Sequence, residues 1–199
     1  MQPGGPDDEL ESLVPRVMAG DAGALRSLLR QLVPHLLRVS RRVLGSEHPF
    51  VEDVAHDAAY TVIGQLAQYR GEGTLLNFAR GIAVHTAMNM RRRDRAQKRT
   101  SVRDAVDTDA FETQTLDPEA TLLQTAVLPA VREVLDELPE VLAEALVLNL
   151  LLGHTVVEIA EIAGAPIETV RSRLRLAKDR FKTHAERHPV LREMVRFEP

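Results

Sequence analysis

The residues of this chain best suited to specific chemistry are four polar and basic side chains near its C-terminus. They are Arg171, Ser172, Arg175 and Lys178. Their spacing of three and four residues places them on one face of a helix. An arginine can donate two parallel hydrogen bonds to a guanine edge, and a serine hydroxyl can bond a base or a phosphate. The pattern therefore predicts a helix that contacts nucleic acid.

Two short helices joined by a tight turn must position these side chains. Gly164 can adopt the left-handed conformation of such a turn, and Pro166 has the φ that suits the first turn of a helix. After the turn, Val170, Leu174 and Ala177 recur at helical spacing and can pack on the preceding helix. The stretch predicts a helix-turn-helix, the motif that places its second helix in the DNA major groove.

A second basic cluster lies in the middle of the chain. Residues 91 to 103 contain seven basic side chains and one acid, and residues 168 to 182 contain six basic side chains and two acids. Affinity for nucleic acid follows local charge, so the net charge of −4 does not exclude DNA binding. Two basic segments predict two contacts on one polyanion; a solvated helix face is the alternative for residues 91 to 103.

An acidic group on a predicted helix offers a different kind of contact. Glu52, Asp53 and Asp57 lie within two turns of each other, and His56 lies among them. The group can dock on a basic partner surface, or it can be a solvated helix start that the helix dipole favours. Asp53 and His56 also have the spacing of a di-metal bundle site, but the sequence offers no second such pair. We therefore expect no metal site.

Two glycines interrupt the helical pattern between Tyr69 and Thr74. Polar, basic and aromatic residues follow on the next predicted helix: Asn77, Phe78, Arg80, His85 and Asn89. Planar groups beside basic ones suit single-stranded nucleic acid, because bases stack and phosphates are neutralised. For Phe78, a place in the hydrophobic core is the alternative.

Composition favours an all-α protein. Aromatic residues make up 4% of the 199 residues, and the 44% hydrophobic content is rich in Leu, Ala and Val. The absence of cysteine excludes disulfides, thiol catalysis and cysteine-ligated metals. We find no phosphate-binding glycine loop, nucleophile elbow or metalloprotease motif, so we expect neither catalysis nor a cofactor. No apolar run reaches the ~20 residues of a membrane span, and we expect a cytoplasmic protein.

Periodicity and capping residues predict the individual helices. One helix begins after Asp21 and ends at Leu44, before Gly45. Another runs from about Pro49 to Tyr69, and Thr74 caps the next. Further helices are predicted from Leu128 to Leu138 and from Glu140 to Leu152, followed by the helix-turn-helix.

An acidic stretch divides the chain. Residues 104 to 119 contain six acids and no basic residue, a composition typical of a flexible linker. We therefore predict two small helical domains, residues 1–99 and 119–199, joined by a linker at residues 100–118.

Together these segments resemble the extracytoplasmic-function group of bacterial RNA polymerase sigma factors. Residues 21 to 99 resemble the second conserved region of that family and residues 128 to 182 its fourth. Four motifs carry the resemblance: GDAGAL at 20–25, EDVAHDA at 52–58, NFARGIAVHTAMNMRRR at 77–93 and EIAEIAGAPIETVRSRLRLAK at 158–178.

The resemblance implies a role for each motif. The acidic residues Glu52, Asp53 and Asp57 would dock on the core polymerase. The single-stranded −10 element would be bound by Tyr69, Arg70, Asn77, Phe78, Arg80, His85, Asn89, Arg91, Arg92 and Arg93. The −35 element would be bound as duplex by Glu168, Thr169, Arg171, Ser172, Arg175 and Lys178. The implied partners are core polymerase, promoter DNA and an anti-sigma protein, without membrane insertion.

Three other functions fit parts of the pattern. A transcriptional regulator would use the helix-turn-helix on duplex DNA without polymerase. An interaction protein would use the same surfaces to sequester a partner. A helical metalloenzyme would be built around Asp53 and His56.

Overall fold

The computed structural model describes residues 6–69, 71, 73–101, 127–188 and 190–192. Within these ranges the regular structure is helical and contains no strand, which confirms the predicted all-α class. Residues 102–126 lie outside the described residues, as does Arg70, and they include positions 102–118 of the predicted linker. The proposed domain boundaries therefore stay a prediction.

Eight α-helices follow one another in the described residues. They are α1 (Pro6–Met18), α2 (Ala22–Leu44), α3 (Val51–Gln65), α4 (Leu75–Ser101), α5 (Leu128–Asp136), α6 (Glu140–Leu146), α7 (Val156–Ala163) and α8 (Ile167–Ala185). A 3-10 turn, Leu66–Gln68, follows α3, and a π-helical turn, Val147–Leu151, continues α6. The third predicted helix is thus shorter than expected, ending in the 3-10 turn before Tyr69.

Helices α1 to α4 form an N-terminal bundle around a core of leucine, valine and alanine. The predicted start of α2 is confirmed, because Asp21 Oδ1 accepts hydrogen bonds from the backbone N–H groups of Gly23 and Ala24 at 2.8 and 3.0 Å. The Ala24 bond is the main cause that lowers the pKa of Asp21. Leu28, Leu36 and Val62 are fully buried where α2 and α3 meet α4.

Helices α5 to α8 form a second bundle that holds the helix-turn-helix. Thr155 caps α7 in a capping box with Glu158, whose Oε2 accepts from the Thr155 N–H at 2.7 Å. Gly164 ends α7 with φ +55°, as predicted from its tolerance of left-handed backbone. Beyond the turn, α8 packs on α6 and α7.

The two bundles pack against each other. Helix α4 of the first bundle contacts α6, the π-helical turn and α7 of the second, and the buried apolar residues of both form one continuous core. The sequence predicted two small helical domains joined by a linker and did not address how they pack. None of the helices within the described ranges has the length and apolar character needed to cross a bilayer.

Candidate nucleic-acid interface

The outer face of α8 is open to solvent. Arg171 has 63% of its side chain exposed, and Ser172, Arg175 and Lys178 are exposed beside it. On the opposite face Val170, Leu174 and Ala177 are buried, which confirms the predicted division into inward and outward rows. The basic row is therefore accessible to a DNA groove in this arrangement of the bundles.

An ion pair modifies this row at its N-terminal end. Arg171 Nη1 donates to Glu168 Oε1 at 2.8 Å, and both side chains are well exposed. A pair so exposed is weak, about 0–1 kcal/mol, so an incoming base or phosphate can displace it. Thr169, the neighbouring residue of the predicted −35 surface, is half-buried. The ion pair with Glu168 thus orients the Arg171 side chain but leaves it accessible to DNA.

The acidic residues of α3 form an exposed row on the first bundle. Glu52, Asp53 and Asp57 are all exposed, and no ion pair is recorded for them among the described residues. One turn after Asp57 lies Tyr60, which is 78% exposed. Our sequence reasoning missed Tyr60, although its helical spacing from Asp57 could have identified it. The row therefore combines negative charge with one exposed aromatic ring.

The structure does not support the metal site suggested by Asp53 and His56. Both side chains are exposed, and neither belongs to the one group of three potential ligands found among the described residues. That group joins His85 with Glu140 and Glu144 of the second bundle. The Arg92 guanidinium already contacts Glu140 there, so a cation would have to displace an existing ion pair.

The aromatic residues before and within α4 pack on each other. The rings of Tyr69 and Phe78 lie 5.6 Å apart between centroids and are tilted by 44°. The Tyr69 hydroxyl lies 2.8 Å from the carbonyl oxygen of Gly73 and can donate to it. Phe78 is half-buried, so it contributes to packing while lining the cavity described below.

Two polar residues at the start of α4 are held by local bonds. The backbone N–H of Asn77 donates to Thr74 Oγ1 at 3.2 Å, which confirms the predicted cap. Asn77 is 8% exposed, and its Oδ1 accepts from Arg80 Nη1 at 3.3 Å. Burial lowers the pKa of His154 of the second bundle, and the charge of the nearby Arg80 lowers it further.

Arg91 of the predicted −10 surface is largely enclosed by the second bundle. Its Nε and Nη2 donate to the two carboxylate oxygens of Asp136 at 2.9 and 2.6 Å. Nη2 also donates to the carbonyl oxygen of Arg132 at 2.9 Å, and Nη1 to that of Val43 at 3.3 Å. Only 13% of the Arg91 side chain is exposed. In this arrangement the guanidinium ties α2, α4 and α5 together.

Two further α4 side chains face carboxylates of the second bundle. Arg92 forms an ion pair with Glu140 and donates to Asn89 Oδ1 at 2.6 Å. The pKa of Glu140 is lowered, first because Arg92 donates a hydrogen bond to it. His85 Nδ1 lies 2.9 Å from Glu144 Oε1. Three predicted −10 residues thus have partners in α4 or the second bundle.

The three carboxylates that meet α4 are functional neighbours that our sequence reasoning missed. Asp136, Glu140 and Glu144 lie four residues apart on consecutive helices and follow the predicted linker. Their spacing alone indicates only an acidic helix face, because nothing local specifies which surface that face contacts. We call Asp136, Glu140 and Glu144 the acidic edge.

A cavity of about 610 Å³ separates the bundles beside the acidic edge. Phe78, Asn89 and Arg93 of α4 line it from one side, and Ile162 of α7 and Arg173 of α8 line it from the other. Arg93 is exposed, so it is the most accessible arginine of the run Arg91 to Arg93. The surface predicted to bind single-stranded DNA therefore opens into a cleft between bundles.

A half-buried arginine and a buried histidine complete the contact. Arg132 of α5 donates to the carbonyl oxygen of Arg42 at 3.1 Å, and burial together with the nearby Arg91 lowers the pKa of Arg132 to about 10. His154, before α7, is 4% exposed, and its Nε2 has no hydrogen-bond partner among the described residues. Both lie at the boundary between the bundles.

Comparison with known families assigns both bundles. Residues 28–97 match the family described as Sigma-70 region 2, and residues 128–181 match Sigma-70, region 4. The first match contains α3 and most of α4, and the second contains the helix-turn-helix. The two regions occur in the order that the resemblance implied.

Curated relatives match over nearly the whole chain. The ECF RNA polymerase sigma factor ShbA of Streptomyces griseus is 31% identical over 90% of this chain and 98% of its own length. The ECF RNA polymerase sigma-E factor of Escherichia coli K12 is 31% identical over 84% of this chain and 89% of its own. SigD of Mycobacterium tuberculosis H37Rv is 29% identical, covering 88% and 83%.

Two solved structures share the fold. One is the sigma factor RpoE in complex with the anti-sigma factor NepR from Bartonella quintana, with a TM-score of 0.51, 20% identity, and coverage of 81% of this chain and 96% of that one. The other is CnrH in complex with the cytosolic domain of CnrY, with a TM-score of 0.55, 18% identity, and coverage of 92% and 99%.

Proposed function

The chain belongs to the extracytoplasmic-function family of RNA polymerase sigma factors, and on this premise we propose which of its surfaces performs each step of initiation. As a member of that family it is not an enzyme: it binds core RNA polymerase and directs promoter-specific initiation of transcription. A regulator that binds duplex DNA without polymerase is not favoured, because the first bundle matches sigma region 2.

We assign the −35 element to the outer face of α8. One observation carries the assignment: the basic row Arg171, Ser172 and Arg175 is exposed, while the apolar row of the same helix is buried. Arg171 and Arg175 are four residues apart and can each donate two hydrogen bonds to a guanine edge in the major groove. Lys178 lies one turn further along and suits a backbone phosphate.

We assign the −10 element to α4 and the segment that precedes it. Phe78 and Tyr69 offer aromatic surfaces on which an unpaired base can stack, and Arg80, Arg92 and Arg93 supply charge for the phosphates between bases. Strand separation becomes less costly when a protein binds the unpaired base, because the binding energy offsets the loss of stacking.

We assign core polymerase docking to the exposed row of α3. Glu52, Asp53 and Asp57 give this face its negative charge, and the exposed ring of Tyr60 continues it. Carboxylates orient a basic partner surface, and tyrosine is enriched among the residues that contribute most to binding at interfaces. The three surfaces lie on α3, α4 and α8, so one chain can hold the polymerase and the promoter together.

Run-off transcription tests the function as a whole. Purified chain is added to core polymerase with a library of genomic fragments, and transcripts are mapped. We expect transcripts that depend on the chain and that start downstream of the same −35 and −10 sequences. The function would be contradicted if no fragment gave a transcript that depends on the chain and if the chain formed no complex with core polymerase at moderate salt.

The substitution Asp53→Ala tests the docking assignment by itself. We expect roughly tenfold weaker binding to core polymerase, because an interface charge is lost, while binding to a −35 duplex stays unchanged. Asp179→Ala is the matched control, since Asp179 is also exposed but lies on α8. Equal polymerase binding by both variants would remove Asp53 from the docking surface.

We also propose that the chain acts in the cytoplasm, where it meets core polymerase, and that an anti-sigma protein restrains it. The two related structures are complexes of this kind, which supports the second proposal. Co-purification of the tagged chain from its own host, followed by mass spectrometry, tests it. Recovery of core polymerase subunits alone, under conditions where the target promoters are silent, would contradict it.

A further inference from the structure

We infer that this chain inhibits itself: the acidic edge of the second bundle occupies the cations of α4 that −10 DNA needs, so DNA and carboxylates compete for them. The inference rests on the proposed function, from which α4 takes its role as the single-strand-binding helix. The occupant is therefore part of the same chain, and no second protein is required to cover this surface.

The geometry of Arg91 shows how complete the occupation is. Asp136 accepts two parallel hydrogen bonds from the guanidinium, and two backbone carbonyl oxygens accept one each. Four of the five N–H donors of Arg91 are thus used, and with 13% of the side chain exposed the group offers a phosphate neither the bidentate face nor free access. A phosphate can reach it only after α5 has moved away.

The other two members of the acidic edge act in the same way. Glu140 pairs with Arg92, and Glu144 lies 2.9 Å from His85. A carboxylate offers the same negative oxygens as a DNA phosphate, so each pair removes one binding site from the −10 surface. The three carboxylates of the acidic edge therefore occupy three predicted DNA contacts in the way that backbone phosphates would.

Apolar packing holds the acidic edge in position. Gly81 of α4 lies so close to α7 that an added Cβ would be 2.4 Å from Ile162 Cγ2. Phe78, one turn before Gly81, lines the cleft between the bundles, as does Ile162. The base-stacking surface of Phe78 therefore faces the helix-turn-helix across this cleft, while the cations beside it are neutralised.

The basic row of α8 escapes this closure. Arg171, Ser172, Arg175 and Lys178 are exposed while the bundles are packed together. The closed chain can therefore bind duplex DNA through α8, but it binds an unpaired strand through α4 only weakly. This asymmetry gives the inference a signature that loss of folding would not produce.

The first test removes the charge of the acidic edge in the full-length chain. The triple variant Asp136→Asn, Glu140→Gln, Glu144→Gln is compared with a control triple, Glu9→Gln, Glu47→Gln, Glu186→Gln. Both change the net charge equally, and the control residues are exposed and distant from α4 in sequence. Binding is measured by anisotropy with a short fluorescent single strand of mixed sequence and with a duplex of the same composition.

We expect the acidic-edge triple to bind the single strand about tenfold more tightly than the control triple, which is a shift of about 1.4 kcal/mol. Duplex binding should be the same for both triples. Equal single-strand affinity of the two triples would overturn the inference. Circular dichroism establishes that both are folded.

The second test holds the bundles together and stays decisive if the triple variant fails to fold. The chain has no native cysteine, so a pair can be introduced cleanly as Ala96→Cys and Glu137→Cys. Residues 96 and 137 line one cavity at the contact and lie outside the proposed DNA surfaces. A short bifunctional thiol crosslinker then joins α4 to the end of α5.

We expect the crosslinked chain to lose single-strand binding and run-off transcription while duplex binding is retained. Crosslinked chain that binds the single strand and transcribes as well as the same variant before crosslinking would overturn the inference. If neither the wild type nor the variant before crosslinking supports transcription, although both are folded, the proposed function itself is wrong. The two failures are thus distinguishable.

Discussion

Helices α8 and α4 both carry a basic cluster and lie in the segments that match Sigma-70 region 4 and region 2, yet their basic side chains have different surroundings. Arg171 and Arg175 of α8 are exposed, whereas Arg91 of α4 is enclosed by Asp136 and two backbone carbonyl oxygens. The difference arises because α8 packs mainly through its apolar row, while α4 also presents its charged row to the second bundle. A high density of basic residues therefore does not establish that a surface is available for DNA.

The largest expected effect is a difference in stability between substitutions in the buried row and in the exposed row of α8. Leu174→Ala removes a side chain that is 5% exposed and should cost about 2–5 kcal/mol of unfolding free energy, through lost burial and the cavity left behind. Leu176→Ala, on the same helix at 44% exposure, should change stability by about 0.5 kcal/mol or less. Urea denaturation measures both. Equal losses would contradict the assignment of inward and outward rows.

The next effect concerns base recognition by the exposed row. Arg171→Ala should cost about 1–3 kcal/mol at one base position of the −35 element and relax specificity there. Arg180→Ala, which removes an exposed cation further along α8, should weaken binding evenly across sequences and flatten the salt dependence. Competition binding on duplexes that differ at single positions distinguishes them. Uniform losses in both variants would refute this division of labour.

A smaller effect tests how closely α4 packs on α7. Gly81→Ala places a methyl group against Ile162, so we expect overpacking of about 1–3 kcal/mol, partly offset by about 1 kcal/mol of helix propensity. Gly64→Ala in α3 is the matched control, since no atom lies within 4 Å of its added Cβ. Small-angle scattering should show the Gly81 variant to be more extended. An unchanged radius of gyration in both variants would contradict the close packing of α4 on α7.

The smallest effect is a pH dependence at the boundary between the bundles. Burial is the main cause that lowers the pKa of His154, followed by Arg80 of α4, while Glu158 of α7 opposes them. The folded chain therefore favours neutral His154. This contribution to stability is complete above the unfolded pKa of about 6.5 and is lost as pH falls from there through the lowered folded-state value.

The variant His154→Gln isolates that contribution. It removes the titrating group while retaining a polar side chain, so the fall in unfolding free energy between about pH 7 and pH 5 should be steeper for wild type than for the variant. Urea denaturation across that pH range measures both slopes. Equal slopes for wild type and variant would show that His154 does not contribute to the pH dependence of the unfolding free energy.

Much of the fold could be predicted from local patterns. Asp21 begins α2 and Gly164 ends α7 as expected, because caps and left-handed turns depend on residues within one turn of the chain. The exposed row of α8 followed from the spacing of Val170, Leu174 and Ala177 for the same reason. The assigned roles of these residues in binding remain predictions.

The surroundings of α4 could not be predicted in the same way. Arg91 meets Asp136 across 45 positions, and His85 meets Glu144 across 59, with residues 102–126 between the partners. Such pairs depend on how two bundles dock, and helical periodicity carries no information about docking. For the same reason Tyr60 and the acidic edge were not recognised as parts of functional surfaces.

The sequence by itself determined that this protein is helical, that it carries a helix-turn-helix with an outward basic row, and that it resembles a sigma factor. Each of these depends on residues close together in the chain or on the order of motifs. Only the tertiary structure decided which basic surface is open and which is covered. The physical reason is that a charge is neutralised by whatever lies near it in space, and the carboxylates near α4 come from 45 to 59 positions further along the chain.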